Sequence, residues 1–247
     1  MKFREKCEIV ERKNFSHYLY LKMKTDRIAG EVSPGQFINI RVNESFDPFL
    51  RRPMSVCDRD GDFISVLVQI KGRATKILSE KREGDFLNII GPLGNTFPLT
   101  SRKAIFVAGG IGVAPLLFLS RILKPEFMLL GVKTSEFLPD LEAFPDNMEI
   151  IISSDDGSTG TEGSVLELLK GINLEGKTLY ACGPNSMLRE LSEEIKKFRD
   201  IDAFYSIETI MGCGFGVCKG CSVETVEGNY RLACIDGPVF RWDGVKL

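Results

Sequence analysis

Four cysteines near the end of the chain limit what this sequence can fold into more than any other feature. Cys213, Cys218 and Cys221 fall within nine residues and Cys234 follows, giving the spacing C-x4-C-x2-C-x12-C. Three thiolates offered by one loop, with a fourth from further along, match the plant-type ligand set for a [2Fe–2S] cluster. Gly212, Gly214, Gly216 and Gly220 are interleaved with the ligands, so backbone amides can approach the sulfurs and hydrogen-bond them. A structural zinc site is the competing reading. Zinc sites usually show two close cysteine pairs or Cys/His mixtures, whereas here one close pair stands without a neighbouring histidine. Cys213, Cys218, Cys221 and Cys234 are therefore the expected metal ligands, and Cys7 and Cys57 are expected to be packing residues.

The rest of the composition narrows the setting. Seven cysteines is an odd count, which argues against a disulfide framework and for a reducing compartment. The net charge of −2 and the pI near 5.7 supply no basic stripe for nucleic acid or an anionic membrane. The opening residues Met1-Lys2-Phe3-Arg4-Glu5-Lys6 lead into no apolar stretch, so no secretory leader is expected. Apolar runs such as 127–132 are too short to span a bilayer, and a cytoplasmic location is the expectation. The single histidine, His17, reads as a surface or packing residue, so no side chain is expected to act as general acid or base.

The chain divides by periodicity. Short apolar or alternating runs at 8–10, 18–23, 37–42, 54–57, 63–70 and 86–90 are separated by Gly- or Pro-containing turns. With one helix at 74–81, they predict a small antiparallel barrel over 1–99. Beyond Pro98, strands at 104–108, 127–132, 148–153, 178–182 and 204–207 alternate with helical stretches at 114–123, 164–170 and 184–198. That alternation predicts a parallel sheet with crossover connections over 100–207. Residues 208–247 then form the cluster segment. No internal repeat or low-complexity linker interrupts this order.

Two motifs in the first part suit a flavin. Arg52-Pro53-Met54-Ser55 opens a strand with a guanidinium that can pair a diphosphate and a hydroxyl that can bond ring atoms; an Arg-Pro is also an ordinary strand start. Gly72-Arg73-Ala74-Thr75 offers free amides and a hydroxyl at a helix start, though Thr75 could simply begin the helix. In the second part, Gly109-Gly110-Ile111-Gly112-Val113-Ala114-Pro115 follows a buried strand and opens a helix, allowing close approach of a pyrophosphate. It is not the G-x-G-x-x-G fingerprint. Cys182-Gly183-Pro184 occupies the carboxyl edge of the expected sheet, where Cys182 is either a nicotinamide neighbour or a buried strand-end residue. The stretch 153–158 carries Asp155 and Asp156, which would repel a 2′-phosphate and can bond ribose hydroxyls, favouring NAD over NADP. Alternatively, they cap the next turn.

Taken in order, Arg-Pro-x-Ser, Gly-x-x-Thr, Gly-Gly-x-Gly-x-Ala-Pro and Cys-Gly-Pro resemble the ferredoxin–NADP reductase superfamily. With Met211-Gly-Cys-Gly-Phe-Gly-Val-Cys-Lys-Gly-Cys and Ala233-Cys-Ile-Asp-Gly-Pro-Val-Phe240 added, the whole chain resembles the electron-transfer subunits of NAD-dependent (class 1B) dihydroorotate dehydrogenases. The resemblance implies FAD contacts at Arg52, Pro53, Met54, Ser55, Leu67, Val68, Gln69, Ala74 and Thr75. It implies NAD contacts at Gly109, Gly110, Gly112, Cys182 and Gly183, and a [2Fe–2S] cluster on the four cysteines. It also implies an FMN-containing dihydroorotate dehydrogenase catalytic subunit as partner, in a heterotetramer of two chains of each kind serving pyrimidine biosynthesis. Ala74 stands where family members often carry Gly, and Lys219-Gly220 fills the cluster loop differently. Two other functions share these motifs: a diaphorase-like subunit of a ferredoxin–NAD(P)H reductase, sulfide reductase or hydrogenase, and a non-catalytic cluster-holding sensor.

Overall fold

The structure is a computed structural model that describes residues 1–140 and 148–247. Its first part is a closed antiparallel barrel made of β1 (Phe3–Phe15), β2 (Tyr18–Lys24), β3 (Phe37–Arg41), β4 (Arg52–Asp60), β5 (Phe63–Gln69) and β6 (Phe86–Leu93). The strands run in the order β1-β2-β5-β4-β3-β6. Alternation decides what fills it: Cys7 and Ile9 from β1, Ile38 and Ile40 from β3, and Ile64, Val66 and Val68 from β5 form one buried cluster. Closure removes the open edges that a sheet of this size would otherwise expose. The first strand is much longer than the expected run at 8–10, because its buried face carries Glu5 beside Cys7 and Ile9 and residues 11–14 are all polar, so the alternation is legible over only a few positions. A short α1 (Ile28–Glu31) covers one end, and α2 (Arg73–Ser79) follows β5.

The second part is built on β7 (Ala104–Gly109), β8 (Phe127–Val132), β9 (Ile150–Ser154), β10 (Thr161–Glu162), β11 (Thr178–Cys182) and β12 (Asp202–Ser206), with α3 (Val113–Ser120) and α4 (Asn185–Ile195). These strands pair in parallel, as their alternation with helices requires. The helical stretch expected at 164–170 is a 3-10 helix over Val165–Leu169, with positive-φ glycines at Gly163 and Gly171 bounding the segment. Ile105, Val107, Leu179 and Ala181 pack with Leu188, Leu191 and Ile195 of α4 on one face. Phe106, Ala108, Tyr180 and Cys182 pack with α3 on the other. Every residue of α3 is buried, since the helix lies between the sheet and the barrel residues Tyr18, Cys57 and Leu67. The Tyr18 hydroxyl crosses the same seam, donating to the Phe137 carbonyl at 2.9 Å.

The last part contains a hairpin, β13 (Ser222–Glu224) with β14 (Tyr230–Leu232), and a final strand β15 (Val239–Arg241). β15 adds antiparallel to β12 and completes a seven-stranded sheet, β10-β9-β8-β7-β11-β12-β15. No alternation in residues 235–247 announces this strand; the free edge of β12 supplies its pairing partner. Asn95 holds it there from the loop after the barrel. Its Nδ2 donates to the carbonyls of Asp236 and Val239, and its Oδ1 accepts from the Val239 amide. Gly94 makes the approach possible, as a Cβ there would lie 2.5 Å from the Pro238 ring.

Two consequences are measurable. Replacing Asn95 by Ala orphans three backbone groups at a half-buried site and is expected to cost about 3 kcal/mol in denaturant unfolding; an unchanged midpoint would show that water replaces the side chain. Burial pushes the Cys7 thiol from its ordinary 9.0 up to about 12, with Glu5 and Asp26 adding to the effect. A folded pKa raised in this way leaves stability intact below about pH 9. Above it the unfolded chain ionises first, and stability falls by about 1.4 kcal/mol per pH unit from this group. Chemical unfolding from pH 8 to 11 of the wild type and Cys7→Ala, which lacks the ionisation, should show the wild type losing stability more steeply.

Candidate flavin, nucleotide and iron–sulfur site

A cavity of about 380 Å³ opens at the seam between barrel and sheet, within the range of ligand and cofactor sites. It gathers every residue read as a flavin contact: Arg52, Pro53, Met54 and Ser55 from β4, Leu67, Val68 and Gln69 from β5, and Ala74 and Thr75 from α2. The barrel register explains this convergence, because β4 and β5 are adjacent and α2 directly follows β5. The opposite wall is Ile111, Ala114, Pro115 and Cys182 from the sheet side. Thr209 lines the cavity, and its Oγ1 is buried with no partner, a position where a bound polar group would be satisfied. The donor set and this orphaned hydroxyl fit a flavin dinucleotide.

Two of these side chains also bond within their own segments. Arg52 turns its guanidinium back onto the carbonyls of Leu50 and Arg51, so it lines the cavity while bracing its own turn. The Thr75 hydroxyl accepts from the amides of Lys71 and Gly72 and donates to the Gly72 carbonyl, which is the helix-starting alternative. Sequence reasoning missed Ser206, Glu208, Thr209, Met211 and Pro238, which also line the cavity. The carboxyl end of β12 could have signalled the first three, since ligands sit at that edge of parallel sheets; Pro238 arrives only through β15.

The two glycine turns meet. A Cβ on Gly112 would lie 2.2 Å from the Cys182 carbonyl oxygen, and one on Gly183 would lie 3.0 Å from the Gly109 amide nitrogen. Their lack of side chains thus serves backbone-to-backbone packing of the turns after β7 and β11. Gly110, at φ +52, has nothing closer to such a Cβ than the Tyr18 hydroxyl at 4.0 Å and is the glycine with room beside it. Cys182 is buried. Burial pushes its thiol upward, Glu208 adds to the shift and a hydrogen bond with Ser206 opposes it, so it remains a neutral thiol at the cavity wall.

Asp155 and Asp156 follow β9 and lie away from the cavity lining. Asp156 accepts from the Ser158 amide at 3.0 Å and from its hydroxyl at 2.6 Å. The hydroxyl bond leads the causes that hold its carboxyl below the usual range. It caps the turn, and both aspartates are exposed. His17 stacks on Phe137 at 4.1 Å and pairs with Glu136, away from the cavity.

The four C-terminal cysteines form two pairs. The amides of Cys213 and Cys218 each donate to the other's sulfur at 3.4 Å, and Gly220 donates to Cys218 at 3.5 Å. Cys221 and Cys234 are both buried and interact with each other. Burial raises the Cys213 thiol, but donors from Cys218, Phe215 and Val217 outweigh it and hold the group at about 6. Cys234 is pushed up to about 12, first by burial and then by Cys221. A cationic centre between these sulfurs would reverse the second shift. Among the described residues, no three His, Cys, Asp or Glu side chains gather closely enough for a single metal ion. Two pairs suit a binuclear cluster, in which each iron takes two thiolates, better than one tetrahedral zinc.

Similarity to known proteins agrees with this geometry. Residues 208–246 match the family model described as the iron–sulfur cluster binding domain of dihydroorotate dehydrogenase B. The electron transfer subunit of dihydroorotate dehydrogenase B (NAD(+)) from Geobacillus sp. (strain WCH70) is 37% identical over 98% of both chains. Its counterpart from Caldanaerobacter subterraneus is 35% identical over 97% of both. Among solved structures, the NADH-dependent reduced ferredoxin-NADP oxidoreductase aligns with a TM-score of 0.86 and 27% identity, covering 97% of this chain and 89% of that one. Phthalate dioxygenase reductase shares the fold, with a TM-score of 0.64 and 16% identity over 90% of this chain and 87% of that one. No helix among the described residues is long and apolar enough to cross a membrane. With full-length identity at this level on a reductase-like barrel and sheet, the chain belongs to the family of electron transfer subunits of dihydroorotate dehydrogenase B (NAD(+)).

Proposed function

We propose that this chain conducts electrons between NAD(H) and a separate catalytic subunit that interconverts dihydroorotate and orotate. One observation carries the reading: the cavity and the cysteine loop share a wall, because Met211 lines the cavity and stands two residues before Cys213. When bound, FAD supplies the exchange between a two-electron hydride and single electrons, and a [2Fe–2S] cluster supplies one-electron carriage. The barrel, residues 1–99, would hold FAD through Arg52–Ser55, Leu67, Val68, Gln69, Ala74 and Thr75. The sheet, residues 100–207, would present the turns at Gly109, Gly110 and Gly112 and at Cys182 and Gly183 to the nicotinamide nucleotide. Residues 208–247 would carry the cluster on Cys213, Cys218, Cys221 and Cys234.

The side chains bind, orient and exclude water. Buried and neutral, Cys182 offers a nicotinamide ring an uncharged surface, and no protein acid or base enters the reading. Asp155, exposed after β9, disfavours a 2′-phosphate and supports NAD over NADP, while Asp156 shapes the turn. Ile210 and Val217 are 89% and 73% exposed around the cysteine loop, apolar surface that suits a partner face. That partner is proposed to be an FMN-containing catalytic subunit, in a heterotetramer of two chains each, acting in the cytoplasm. The relatives' names make NAD+ the acceptor, so assays begun from NADH follow the same path in reverse. The likeness to the ferredoxin-NADP oxidoreductase favours a second reading, a ferredoxin-coupled reductase.

The test is anaerobic NADH oxidation with the cognate catalytic subunit and orotate as acceptor. Turnover is expected to require both subunits and to fall at least about tenfold in Cys221→Ala, while NADH still bleaches the flavin. Reduction of flavin and cluster with orotate ignored, and ferredoxin accepted instead, would move the assignment to the second reading.

A further inference from the structure

Asn39 is fully buried on β3. Its strand neighbours Ile38 and Ile40 point into the barrel core. Phe37 and Asn39 face the other way, opposite Ser55 and Pro53 of β4. Phe37, Ser55 and Pro53 line the flavin cavity, so Asn39 continues the same barrel face one step beyond it. There its Nδ2 donates to the carbonyl of Cys213 at 3.0 Å, while its Oδ1 is buried with no partner. The loop fits closely, since a Cβ on Gly214 would lie 2.2 Å from the Asn39 nitrogen. Arg51 braces the strand from behind, donating to the carbonyls of Asn39 and Asn88.

We propose that Asn39 is a positioning residue for the iron–sulfur site, tethering the Cys213–Gly214 peptide to the barrel face that carries the flavin. The inference rests on the cofactor reading above. A purely packing position here would leave no reason to bury a carboxamide with one unsatisfied oxygen, because an apolar side chain would avoid that orphan. The peptide is trans, as no cis bond occurs there. With its carbonyl directed at Asn39, the Gly214 amide hydrogen must point to the opposite side, away from the barrel. Gly214, at φ +79, is free to rotate otherwise, so the side chain chooses one orientation of a flexible peptide. The tether thereby fixes both the backbone of the first ligand relative to the flavin and the direction of an amide beside the sulfurs.

The test compares wild type, Asn39→Ala and Asn39→Leu as anaerobic proteins reconstituted with FAD and iron–sulfur cluster. Asn39→Leu keeps the volume and removes the donor. Both variants are expected to bind FAD and to be reduced at the flavin by NADH as the wild type is. Electron arrival at the cluster should slow about tenfold, in line with outer-shell substitutions at metal sites. The paramagnetic signal of the reduced cluster should shift, and hydrogen exchange of amides 213–217 should rise. Gly214→Ala, which displaces the contact from the other side, should be no worse in the Asn39→Ala background than alone. Wild-type spectra, exchange and transfer rates in both variants would overturn the proposal, as would loss of FAD together with the cluster, which marks a general core role. Loss of iron with FAD retained would support it. Wild-type protein showing no cluster signal would instead refute the cofactor reading itself.

Discussion

The structure depends on the burial of α3 between two unlike layers. Val113–Ser120 is apolar almost throughout, and every residue is covered, by the parallel sheet on one side and by barrel residues on the other. A helix with no polar face cannot sit on a surface. Its burial forces the barrel against the sheet, and the cavity is the space left at the mouth of that contact. Ala114 and Pro115 of the same helix form part of the cavity wall, so one element both joins the layers and shapes the site between them.

The glycines after β7 serve the same contact. The turns at Gly109–Gly112 and Cys182–Gly183 approach closely enough that a Cβ would meet backbone, which fixes the adjacent strand ends in height and places Cys182 at the cavity. Nucleotide-binding turns are usually explained by the ligand's need for bare backbone. Here the packing of one turn on another already demands glycine at two positions, and Gly110 alone has open space beside it.

The C-terminal segment then couples the layers a second time. β15 extends the sheet beside β12, Asn95 binds the segment after the fourth cysteine, and Asn39 binds the peptide after the first. Each end of the cysteine segment is thus fastened to a residue of the barrel or its exit loop. Buried carboxamides suit this task because their hydrogen bonds are directional where apolar packing is not.

The sequence by itself determined the local chemistry. Cysteine spacing singled out Cys213, Cys218, Cys221 and Cys234 as the expected ligand set, strand alternation indicated the barrel, and β–α alternation indicated the parallel sheet, since each of these is a short-range pattern; how the four sulfurs pair came only from the fold. It also singled out residues 52–55, 67–69, Ala74 and Thr75, which meet at one cavity because β4 and β5 are neighbours in the barrel and α2 follows β5. Only the tertiary structure decided the rest. Thr75 and Asp156 spend their polar groups on local backbone, a choice that spacing cannot reveal. Ser206, Thr209, Met211 and Pro238 join the cavity because β12 ends there and β15 pairs beside it. Asn39 and Asn95 bind carbonyls 174 and 144 residues away, and no sequence pattern records a partner so distant. Hydrogen-bond partners at that separation are set by how layers pack, which is why those two residues read as ordinary polar positions until the fold is complete.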